Sequence, residues 1–495
     1  MSRHKFPIRS QTMLKHLFFI LFGFGVFILQ GAEKPPNIIL ILTDDLGYND
    51  LSCYGNLQYD TPNIDRMAKE GQKWTEFYSA SHICSPSRAA ILTGQYPVRT
   101  GTSSHVFFEW SADGLPTDSL TISEVLQSYG YNTYIVGKWH LGHREGFLPK
   151  YHGFDYFYGI PYSNDMRVDP EMKVSDSVYF REGMTLNQMQ TRGNKVDNWV
   201  PLMQDDCIIE YPVDQTTLTQ RYTEKSIELI KQNKEQPFFL FLSHHLPHIP
   251  IYVSQSFENI YSDPYANAVN EIDHSVGKIL NTLKEHSLDK NTLVIFTSDN
   301  GPNQTFEPKG GSAFPLKGSK FYASEGGQKV PAIFWWPNKI KKASISGLGS
   351  SLDFFNTFIA LSGIKKQSNG AEDSYDLSSV LLKKSPSPRS DFFYFSSFIP
   401  PRGEIYAVRK GDWKAHFSTS HEPHFSSPDS IEKHATPLLF NLKKDPGETD
   451  NLAEKYPHII ESLIEYSEKF SQTLEIAPNR YSKKILSQER PEWAQ

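Results

Sequence analysis

Four apolar runs of this chain each end in polar side chains of the kinds that bind metal ions and anions. The pairs Asp44–Asp45 and Asp299–Asn300 each follow one such run. The other two runs lead into GKWH, residues 137–140, and HHLPH, residues 244–248. If the runs are parallel strands of one open sheet, their carboxyl ends meet at one edge, where ligands bind. We therefore expect these polar residues to converge at that edge.

The two acidic pairs indicate a site for a hard divalent cation. Asp and Asn oxygens are ligands that Ca²⁺ and Mg²⁺ take, and carboxylates this close would repel one another without a cation. The candidate ligands are Asp44, Asp45, Asp299 and Asn300. The alternative is that each pair caps a helix or a turn. Two pairs after two strands, together with nearby lysines and histidines, favour the cation site.

Basic side chains predict an anionic ligand beside the cation. Lys138 and His140 follow one strand and His248 follows another, while Arg88 and Lys320 lie elsewhere in the chain. Such donors among carboxylates are expected where an anionic group lies between a metal ion and cations. A single histidine would more often be structural, so the prediction depends on the whole cluster.

The stretch HICSPSRAAILTG, residues 82–94, places a cysteine at a helix start. Pro86 fits the first turn of a helix, and Gly94 fits its end. Cys84 then lies at the N-terminal end, where free N–H groups and the helix dipole favour an anion. The alternative is a small buried thiol, which is the usual state of a free cysteine.

Apolar runs alternate with helical segments from Asn37 onward, which predicts an α/β sheet covered on both faces. The predicted strands are 37–43, 133–138, 238–243, 292–298 and 331–336. The predicted helices start after the capping box TISE at Thr121 and cover about 217–233, 266–285 and 352–362. Residues 160–216 are polar and irregular, which predicts a loop insertion over the site.

The chain changes character after KKSPSPRS, residues 383–390, a stretch typical of a linker. The runs DFFYFSSF, EIYAVRKGDWKAHF and PLLFNL are typical of antiparallel strands, and HIIESLIEYSEKFSQTL is typical of an amphipathic helix. We therefore predict a signal segment at 1–32, an α/β domain at 33–385 and a smaller α+β domain at 386–495. His416, His421 and His424 fall on a loop-like stretch of the last domain.

Composition limits the classes of function. The 495 residues exceed the roughly 250–300 at which single cores stop growing, which favours two domains. The net charge of −6 is small and no basic tract is present, so nucleic-acid binding is not expected.

The first residues predict export. Basic residues, the apolar run HLFFILFGFGVFILQ and then Gly31 and Ala32 follow the order of a secretory signal. We expect cleavage near Ala32, a secreted or periplasmic protein and no stable membrane insertion afterwards; the alternative is an uncleaved anchor. With three cysteines, Cys53 and Cys207 either form one bridge or stay unpaired, and Cys84 is left over.

CSPSRAAILTG resembles the sulfatase signature Cys-x-Pro-Ser-Arg with its downstream Leu-Thr-Gly. Further resemblance runs in order from about 36 to 455 through PNIILILTDDLGYNDLSCYGN, GKWHLG, GIPYSND, FFLFLSHHLPHIP, LVIFTSDNGP and SEGGQKVPAIFWWP. GDWKAHF and PLLFNLKKDPGETDNL resemble the branch of arylsulfatase A and N-acetylgalactosamine-6-sulfatase. The resemblance implies a sulfuric ester hydrolase with an alkaline-phosphatase-like mixed sheet between helices.

The resemblance also implies the composition of the site. Cys84 is expected to become Cα-formylglycine, made by a formylglycine-generating enzyme, and to hold Ca²⁺ together with Asp44, Asp45, Asp299 and Asn300. The residues expected to line the sulfate pocket are Arg88, Lys138, His140, Ser163, His248 and Lys320. Lys320 is assigned by its place five residues before Glu325, and Lys317 is the alternative. FYAS departs from the family's Gly-Thr-Thr-Tyr in this loop.

Each of these residues has an expected role in catalysis. Asp299 helps to deprotonate the hydrate of modified Cys84, which attacks sulfur. His248, with Lys320 nearby, protonates the departing alcohol oxygen, and His140 takes the proton from the second hydroxyl. The metal, Arg88 and Lys138 offset the charge of the sulfate.

Two other functions compete with this interpretation. One is a phosphodiesterase or phosphonate monoester hydrolase on the same scaffold, against which Lys138, His140, Ser163 and Lys320 together favour sulfate. The other is a catalytically silent glycan-binding protein in which Cys84 stays unmodified. For the substrate we expect a sulfated glycan, such as a 6-sulfated galactose or N-acetylgalactosamine.

Overall fold

The computed structural model describes residues 34–192, 195–306, 310–365, 370–397, 403–421 and 430–485. The predicted signal segment and His424 lie outside these residues. The strands are β1 Asn37–Thr43, β2 Gln72–Trp74, β3 Phe77–Tyr78, β4 Asn132–Gly137, β5 Tyr156–Gly159, β6 Val174–Phe180, β7 Leu202–Gln204, β8 Cys207–Tyr211, β9 Phe238–Ser243, β10 Thr292–Ser298, β11 Ala332–Trp335, β12 Ala343–Ile345, β13 Gly349–Ser350, β14 Asp391–Phe395, β15 Ile405–Lys410, β16 Trp413–Ser420 and β17 Ile431–Asn441. The helices are α1 Pro62–Glu70, α2 Cys84–Thr93, α3 Pro97–Thr100, α4 Ile122–Ser128, α5 Leu186–Arg192, α6 Leu218–Gln232, α7 Pro264–Glu285, α8 Glu325–Gln328, α9 Phe354–Leu361, α10 Ser378–Lys383 and α11 Pro457–Ser471.

The main sheet has eleven strands in the order β12-β2-β11-β10-β1-β9-β4-β5-β7-β8-β6. Its central strands, from β10 through β1, β9 and β4 to β5, are all parallel. Every residue of β1, β9 and β10 is buried, because parallel strands are covered on both faces and therefore carry continuous apolar runs. The predicted α/β sheet is confirmed.

The helices beside the main sheet form two groups by their mutual contacts. Helices α1, α6 and α7 form one group, and α2, α4 and α9 form the other. Both α4 and α6 contact β4. The predicted capping box is present, since Thr121 accepts a hydrogen bond from the Glu124 N–H and Glu124 bonds back to the Thr121 N–H. Among the described helices, none combines the length and the apolar character that a bilayer crossing requires.

The prediction for residues 160–216 was wrong. This segment contains helix α5 and strands β6, β7 and β8, which extend one edge of the main sheet. The residues of β6 are half-buried or exposed, so its sequence lacks the apolar run that identifies a core strand. Cys207 lies in β8, and Cys53, Cys84 and Cys207 are all free thiols.

A second sheet of four antiparallel strands, β14-β15-β16-β17, follows as predicted, and α11 contacts β15. His416 lies within β16 and not on a loop. Phe392 and Tyr394 of this sheet share a hydrophobic core with Ala90 of α2 and with Tyr96. The C-terminal sheet therefore packs on the helix that begins at Cys84. The division of the chain at 385/386 stays a prediction.

Glu109 is a buried carboxyl in the segment between α3 and α4, and it makes the stability of the fold depend on pH. Only 2% of the residue is exposed, and its Oε2 has no hydrogen-bond partner among the described residues. Burial is the main cause that raises the pKa of Glu109 to about 8 from a usual 4.5, although Arg167 opposes the shift. Between these two values the folded state binds the proton more tightly, so stability falls as pH rises from about 4.5 through 8.

We expect Glu109→Gln to raise the melting temperature at pH 8.5 by at least about 2 °C, because the buried charge is removed. At pH 5 the gain should be much smaller, since Glu109 is then protonated. Scanning calorimetry at both pH values measures the difference, with Glu454→Gln at an exposed position as the control. An equal gain at both pH values would contradict the assignment.

Candidate catalytic centre

The carboxyl ends of four neighbouring parallel strands form the candidate site. In the register of the sheet, Thr43 of β1 lies beside Ser298 of β10, and Gly137 of β4 lies beside Ser243 of β9. The polar residues that follow these strands are therefore brought to one edge. Gly137 has a φ of +116°, and a Cβ there would lie 1.8 Å from the Ser243 carbonyl oxygen, so a side chain would push β4 and β9 apart.

The predicted metal ligands lie together and are buried. Asn300 Nδ2 donates to Asp45 Oδ1 at 2.7 Å, and the Asp45 N–H lies 3.4 Å from Asp299 Oδ1. Asn300 Oδ1 is buried without a hydrogen-bond partner among the described residues. Among the residues that the structure describes, one group could hold a metal ion, with its potential ligand atoms within 4.8 Å of one another. This group consists of Asp44, Asp45, Cys84 and His248.

Arg88 orients the carboxylates of the site. Its Nε and Nη2 donate to Asp299 Oδ2 at 3.0 and 2.8 Å, and Nη2 also lies 3.2 Å from Asp44 Oδ2. Its Nη1 donates to the Lys138 carbonyl at 2.9 Å and to Ser243 Oγ at 2.6 Å. These contacts hold the ends of the strands in place, and the place of Arg88 in the sulfate pocket stays a prediction.

Two lysines contact neighbouring carboxylates of the centre. Lys138 Nζ contacts Asp44 and donates to Ser163 Oγ at 3.1 Å. Lys320 Nζ lies 2.8 Å from the Asp45 carboxylate. Between the two candidates in this loop, the structure brings Lys320 to the centre, while Lys317 lines a neighbouring cavity.

His140 and His248 differ in their bonding. Neither ring nitrogen of His140 has a hydrogen-bond partner among the described residues. Burial, together with Lys138 and Arg88, holds the pKa of His140 well below its usual value, so this ring is neutral and able to accept a proton. His248 Nδ1 bonds the Ile249 carbonyl at 2.5 Å, so Nδ1 carries a proton and Nε2 faces Asp45 Oδ2 at 3.7 Å.

Cys84 is the first residue of α2, which ends at Gly94 with a φ of +63°. Its side chain is buried, and Sγ lies 3.4 Å from Asp44 Oδ1. Burial and the Asp44 carboxylate raise the pKa of the Cys84 thiol well above its usual value. Because the thiolate is the reactive form of cysteine, the unmodified side chain is a poor nucleophile at neutral pH.

The carboxylates of the centre differ in charge. Burial alone would raise the pKa of Asp44, but Lys138, His248 and Arg88 hold it well below its usual value. Burial and Asp44 instead raise the pKa of Asp299 to about 7. Asp299 can therefore exchange a proton near neutral pH.

A buried ionic cluster supports the loop that carries Lys320. Glu325 Oε1 lies 3.0 Å from Lys414 Nζ of β16, and the Glu325 N–H donates to Glu448 Oε2 at 2.9 Å. Lys414 also lies 3.0 Å from Glu448, which pairs with His416 Nε2 at 2.6 Å. We call Glu325, Lys414, His416 and Glu448 the supporting cluster. It explains why SEGG, GDWKAHF and DPGE, which are far apart in sequence, meet in space.

Sequence analysis missed two contributors to the centre. Ser243 Oγ accepts from Arg88 and donates to the Lys138 carbonyl at 2.7 Å. Tyr265 OH donates to the Asp45 carbonyl at 3.1 Å and to Asp50 at 2.6 Å. Ser243 is the last residue of FFLFLS, so the strand-end argument could have found it. Tyr265 follows a helix start and carries no such signal.

The fold and this cluster are typical of an α/β enzyme whose site lies at the carboxyl edge of its parallel strands. The chain belongs to the sulfatase family, because the family model described as Sulfatase matches residues 36–364. A second model, the C-terminal region of aryl-sulfatase, matches residues 387–495. The protein is therefore a sulfuric ester hydrolase.

Known proteins support the same assignment. Human arylsulfatase A is 37% identical over 449 residues, which cover 87% of each chain. Mouse N-acetylgalactosamine-6-sulfatase is 36% identical and covers 94% of this chain and 89% of its own. The solved structure of Ps i-CgsB in complex with k-i-k-neocarrahexaose has a TM-score of 0.74 and 28% identity, covering 92% of this chain and 96% of its own. The predicted family and fold class are confirmed.

Proposed function

We propose that this sulfatase removes sulfate from a glycan, using a formylglycine derived from Cys84 and a bound Ca²⁺. The observation that carries the proposal is the convergence of Asp44, Asp45, Asp299 and Asn300 around a buried Cys84. Similarity to an N-acetylgalactosamine-6-sulfatase and to a structure with a bound oligosaccharide supports a sugar substrate. Candidate substrates are 6-sulfated galactose and 6-sulfated N-acetylgalactosamine.

Conversion of Cys84 to formylglycine fits the local structure. The thiol at this position is buried beside a carboxylate and is unreactive as it stands. The hydrated aldehyde supplies two hydroxyls on one carbon, one to attack sulfur and one to expel sulfate. Since 1% of Cys84 is exposed, a formylglycine-generating enzyme has to act before folding is complete.

The donor set fits Ca²⁺. Carboxylates and an amide oxygen are hard ligands, and Asn300 Oδ1 lacks a partner that a cation would supply. When bound, Ca²⁺ adds positive charge that holds and polarises the oxygens of the sulfate group. The charged contacts already present are Lys138 and Arg88 with Asp44, Lys320 with Asp45, and Arg88 with Asp299.

The charges of these side chains balance before any ligand is added when Asp299 is ionised. The three carboxylates of Asp44, Asp45 and Asp299 face three cationic groups. A divalent cation would leave an excess of positive charge, and an anionic sulfate ester with an ionised nucleophile would neutralise that excess. The centre therefore favours the metal and the anionic substrate together.

The remaining residues move protons and orient the substrate. Lys138 and Ser163, joined at 3.1 Å, present donors to a sulfate oxygen. His248 holds its proton on Nδ1 through Ile249, so protonation of Nε2 makes it a donor to the leaving oxygen. His140 is neutral and accepts a proton during release of sulfate. Asp299, with a pKa near 7, accepts the proton of the attacking hydroxyl.

The proposal extends to where the protein acts. The order of residues 1–32 is that of a secretory signal, which supports a secreted or periplasmic enzyme. A sulfated glycan outside the cell is compatible with this location. The maturing enzyme would meet its substrate only after export.

Full-length protein, produced with and without a formylglycine-generating enzyme, tests the proposal. We expect mass spectrometry to find formylglycine at Cys84 only in the first preparation. That preparation should hydrolyse p-nitrophenyl sulfate and release inorganic sulfate, at least about 100-fold faster than bis-p-nitrophenyl phosphate, because Lys138, His140, Ser163 and Lys320 favour sulfate.

Two outcomes would contradict the proposal. Faster cleavage of the phosphate diester would assign the centre to phosphodiesters. Lack of hydrolysis with formylglycine verified and Ca²⁺ present would make the protein a silent homologue.

A further inference from the structure

A cavity of about 550 Å³ lies beside the catalytic centre, between the loop 317–324 and the strands β16 and β17. We call it the hairpin cavity. Its volume falls within the roughly 300–1,000 Å³ typical of small-molecule sites. The catalytic residues described above do not line it. The hairpin cavity is therefore distinct from the catalytic centre and is lined by a different set of side chains.

One loop connects the hairpin cavity to the catalytic centre. Lys320 extends its side chain to Asp45 at 2.8 Å, while Tyr322 and Ser324 of the same loop line the cavity. The Phe321 N–H donates to the carbonyl of His82, two residues before Cys84. A ligand that contacts both sides of this loop would place one group near Cys84 and another in the cavity.

The wall of the cavity alternates hydrogen-bond donors and acceptors. Thr419 Oγ1 lies 2.9 Å from His434 Nε2, and His434 Nδ1 lies 3.6 Å from Glu432 Oε1. The other oxygen of Glu432 lies 2.8 Å from His421 Nε2. The side chain of His434 is 8% exposed, that of Glu432 53% and that of His421 71%, so the row runs from the interior to solvent. Neighbouring hydroxyls of a sugar ring can each donate and accept a hydrogen bond, so they can bond to successive side chains of this row.

A buried ion pair forms the floor of the cavity. His416 and Glu448 of the supporting cluster line the floor, and their 2.6 Å pair is buried. His416 Nδ1 has no hydrogen-bond partner among the described residues. Because that atom is enclosed, a ligand in the cavity makes its hydrogen bonds with the more exposed residues of the wall.

The balance of charge argues for a neutral, hydroxylated part of the ligand. His416 is paired with Glu448, and both His421 and His434 lie near Glu432. Lys317 adds one cation, so the wall presents little net charge. Apolar contact is available from Phe440. A polar wall with one aromatic ring is typical of a saccharide site and poorly suited to an acyl chain.

We infer that the hairpin cavity binds a sugar ring of the sulfated substrate, with His434 and Glu432 as specificity-determining residues. This inference rests on the proposed function, because it concerns the leaving group of the same reaction. The sulfate group occupies the catalytic centre on one side of the Lys320 loop, and hydroxyls of the sugar bond the row of side chains on the other.

The test compares a substrate that carries a sugar with one that does not. For matured enzyme, we take kcat/KM for N-acetylgalactosamine 6-sulfate divided by kcat/KM for p-nitrophenyl sulfate. We expect His434→Ala and Glu432→Gln each to lower this ratio at least about tenfold, since p-nitrophenol offers no ring hydroxyls to the cavity. Calorimetry of the same saccharide with Cys84→Ala and with Cys84→Ala/His434→Ala should show weaker binding to the double variant.

Lys433→Ala is the matched control. Lys433 lies between the two test residues on β17, points to the other face of the strand and pairs with Glu404 at 2.9 Å. It should keep the wild-type ratio. Glu432 is half-exposed, so Glu432→Gln keeps the test valid if His434→Ala fails to fold.

The outcomes separate the two proposals. An unchanged ratio in Glu432→Gln and in folded His434→Ala would overturn the sugar site. A wild-type enzyme that cleaves p-nitrophenyl sulfate but not the saccharide would also overturn the sugar site. The proposed hydrolysis of sulfate esters would then stand. A wild-type enzyme that carries formylglycine and cleaves neither compound would overturn the proposed function itself.

Discussion

Cys84→Ala and Cys84→Ser are each expected to abolish hydrolysis of p-nitrophenyl sulfate, to below about 0.01% of the wild-type rate. Alanine removes the attacking group. Serine supplies only one hydroxyl, so a sulfate taken up by it would remain as a stable ester. Intact-mass spectrometry should show that Cys84→Ser gains the mass of one SO₃ group on incubation with substrate, while the alcohol is released, whereas Cys84→Ala gains none.

Cys207→Ser is the control for a general effect of removing a thiol. Cys207 is a free cysteine in β8, only partly buried, and the substitution nearly keeps its size at a position where a hydroxyl can reach solvent. It should retain wild-type activity. Retention of wild-type activity by either Cys84 variant would show that the formylglycine mechanism is wrong.

Asp45→Asn is expected to lower kcat/KM at least about 100-fold and to weaken binding of Ca²⁺. Asp45 has a φ of +65°, a conformation that asparagine tolerates, so the backbone should be preserved while one ligand charge is lost. The change also removes the ion pair with Lys320. Removal of calcium from the wild-type enzyme with a chelator should inactivate it, and added Ca²⁺ should restore activity.

The control for this prediction is another buried carboxylate. Asp273 accepts hydrogen bonds from the backbone N–H groups of Asn63 and Ile64 at the start of α1. Asp273→Asn should lower stability but leave the calcium content, measured by elemental analysis, unchanged. Full activity after verified removal of calcium would exclude the metal from the mechanism.

The residues at the strand ends were predictable because the position of a ligand site in a parallel sheet follows a simple rule. A buried parallel strand must be a continuous apolar run, and its carboxyl end must lie at the ligand-binding edge. From NIILILTDD and TLVIFTSDN alone, this rule brings Asp45 and Asn300 together, and the structure joins them at 2.7 Å. The same rule places Lys138 near Asp44.

The rest of the site depends on contacts that no local pattern encodes. The sequence shows that Arg88 is charged, but it does not predict the four acceptor atoms that the Arg88 guanidinium contacts. In the sequence, nothing distinguishes Lys414 and Glu448 from other charged residues. Their role is visible only in the fold, where Lys414 contacts both Glu325 and Glu448. Edge strands such as β6 are half-exposed and polar, so their sequence is indistinguishable from that of a loop.

The packing of the C-terminal sheet on α2 has a consequence for the order of events on the ribosome. The core around Ala90 is completed by Phe392 and Tyr394, and the Lys320 loop is supported by Glu448. These partners are synthesised some 300 or more residues after Cys84, which is roughly 15–60 s at about 5–20 residues per second. During that interval the nascent segment around Cys84 lacks the surface that later buries it. Biosynthesis would thus leave time for the proposed conversion of Cys84 before the C-terminal sheet packs on α2.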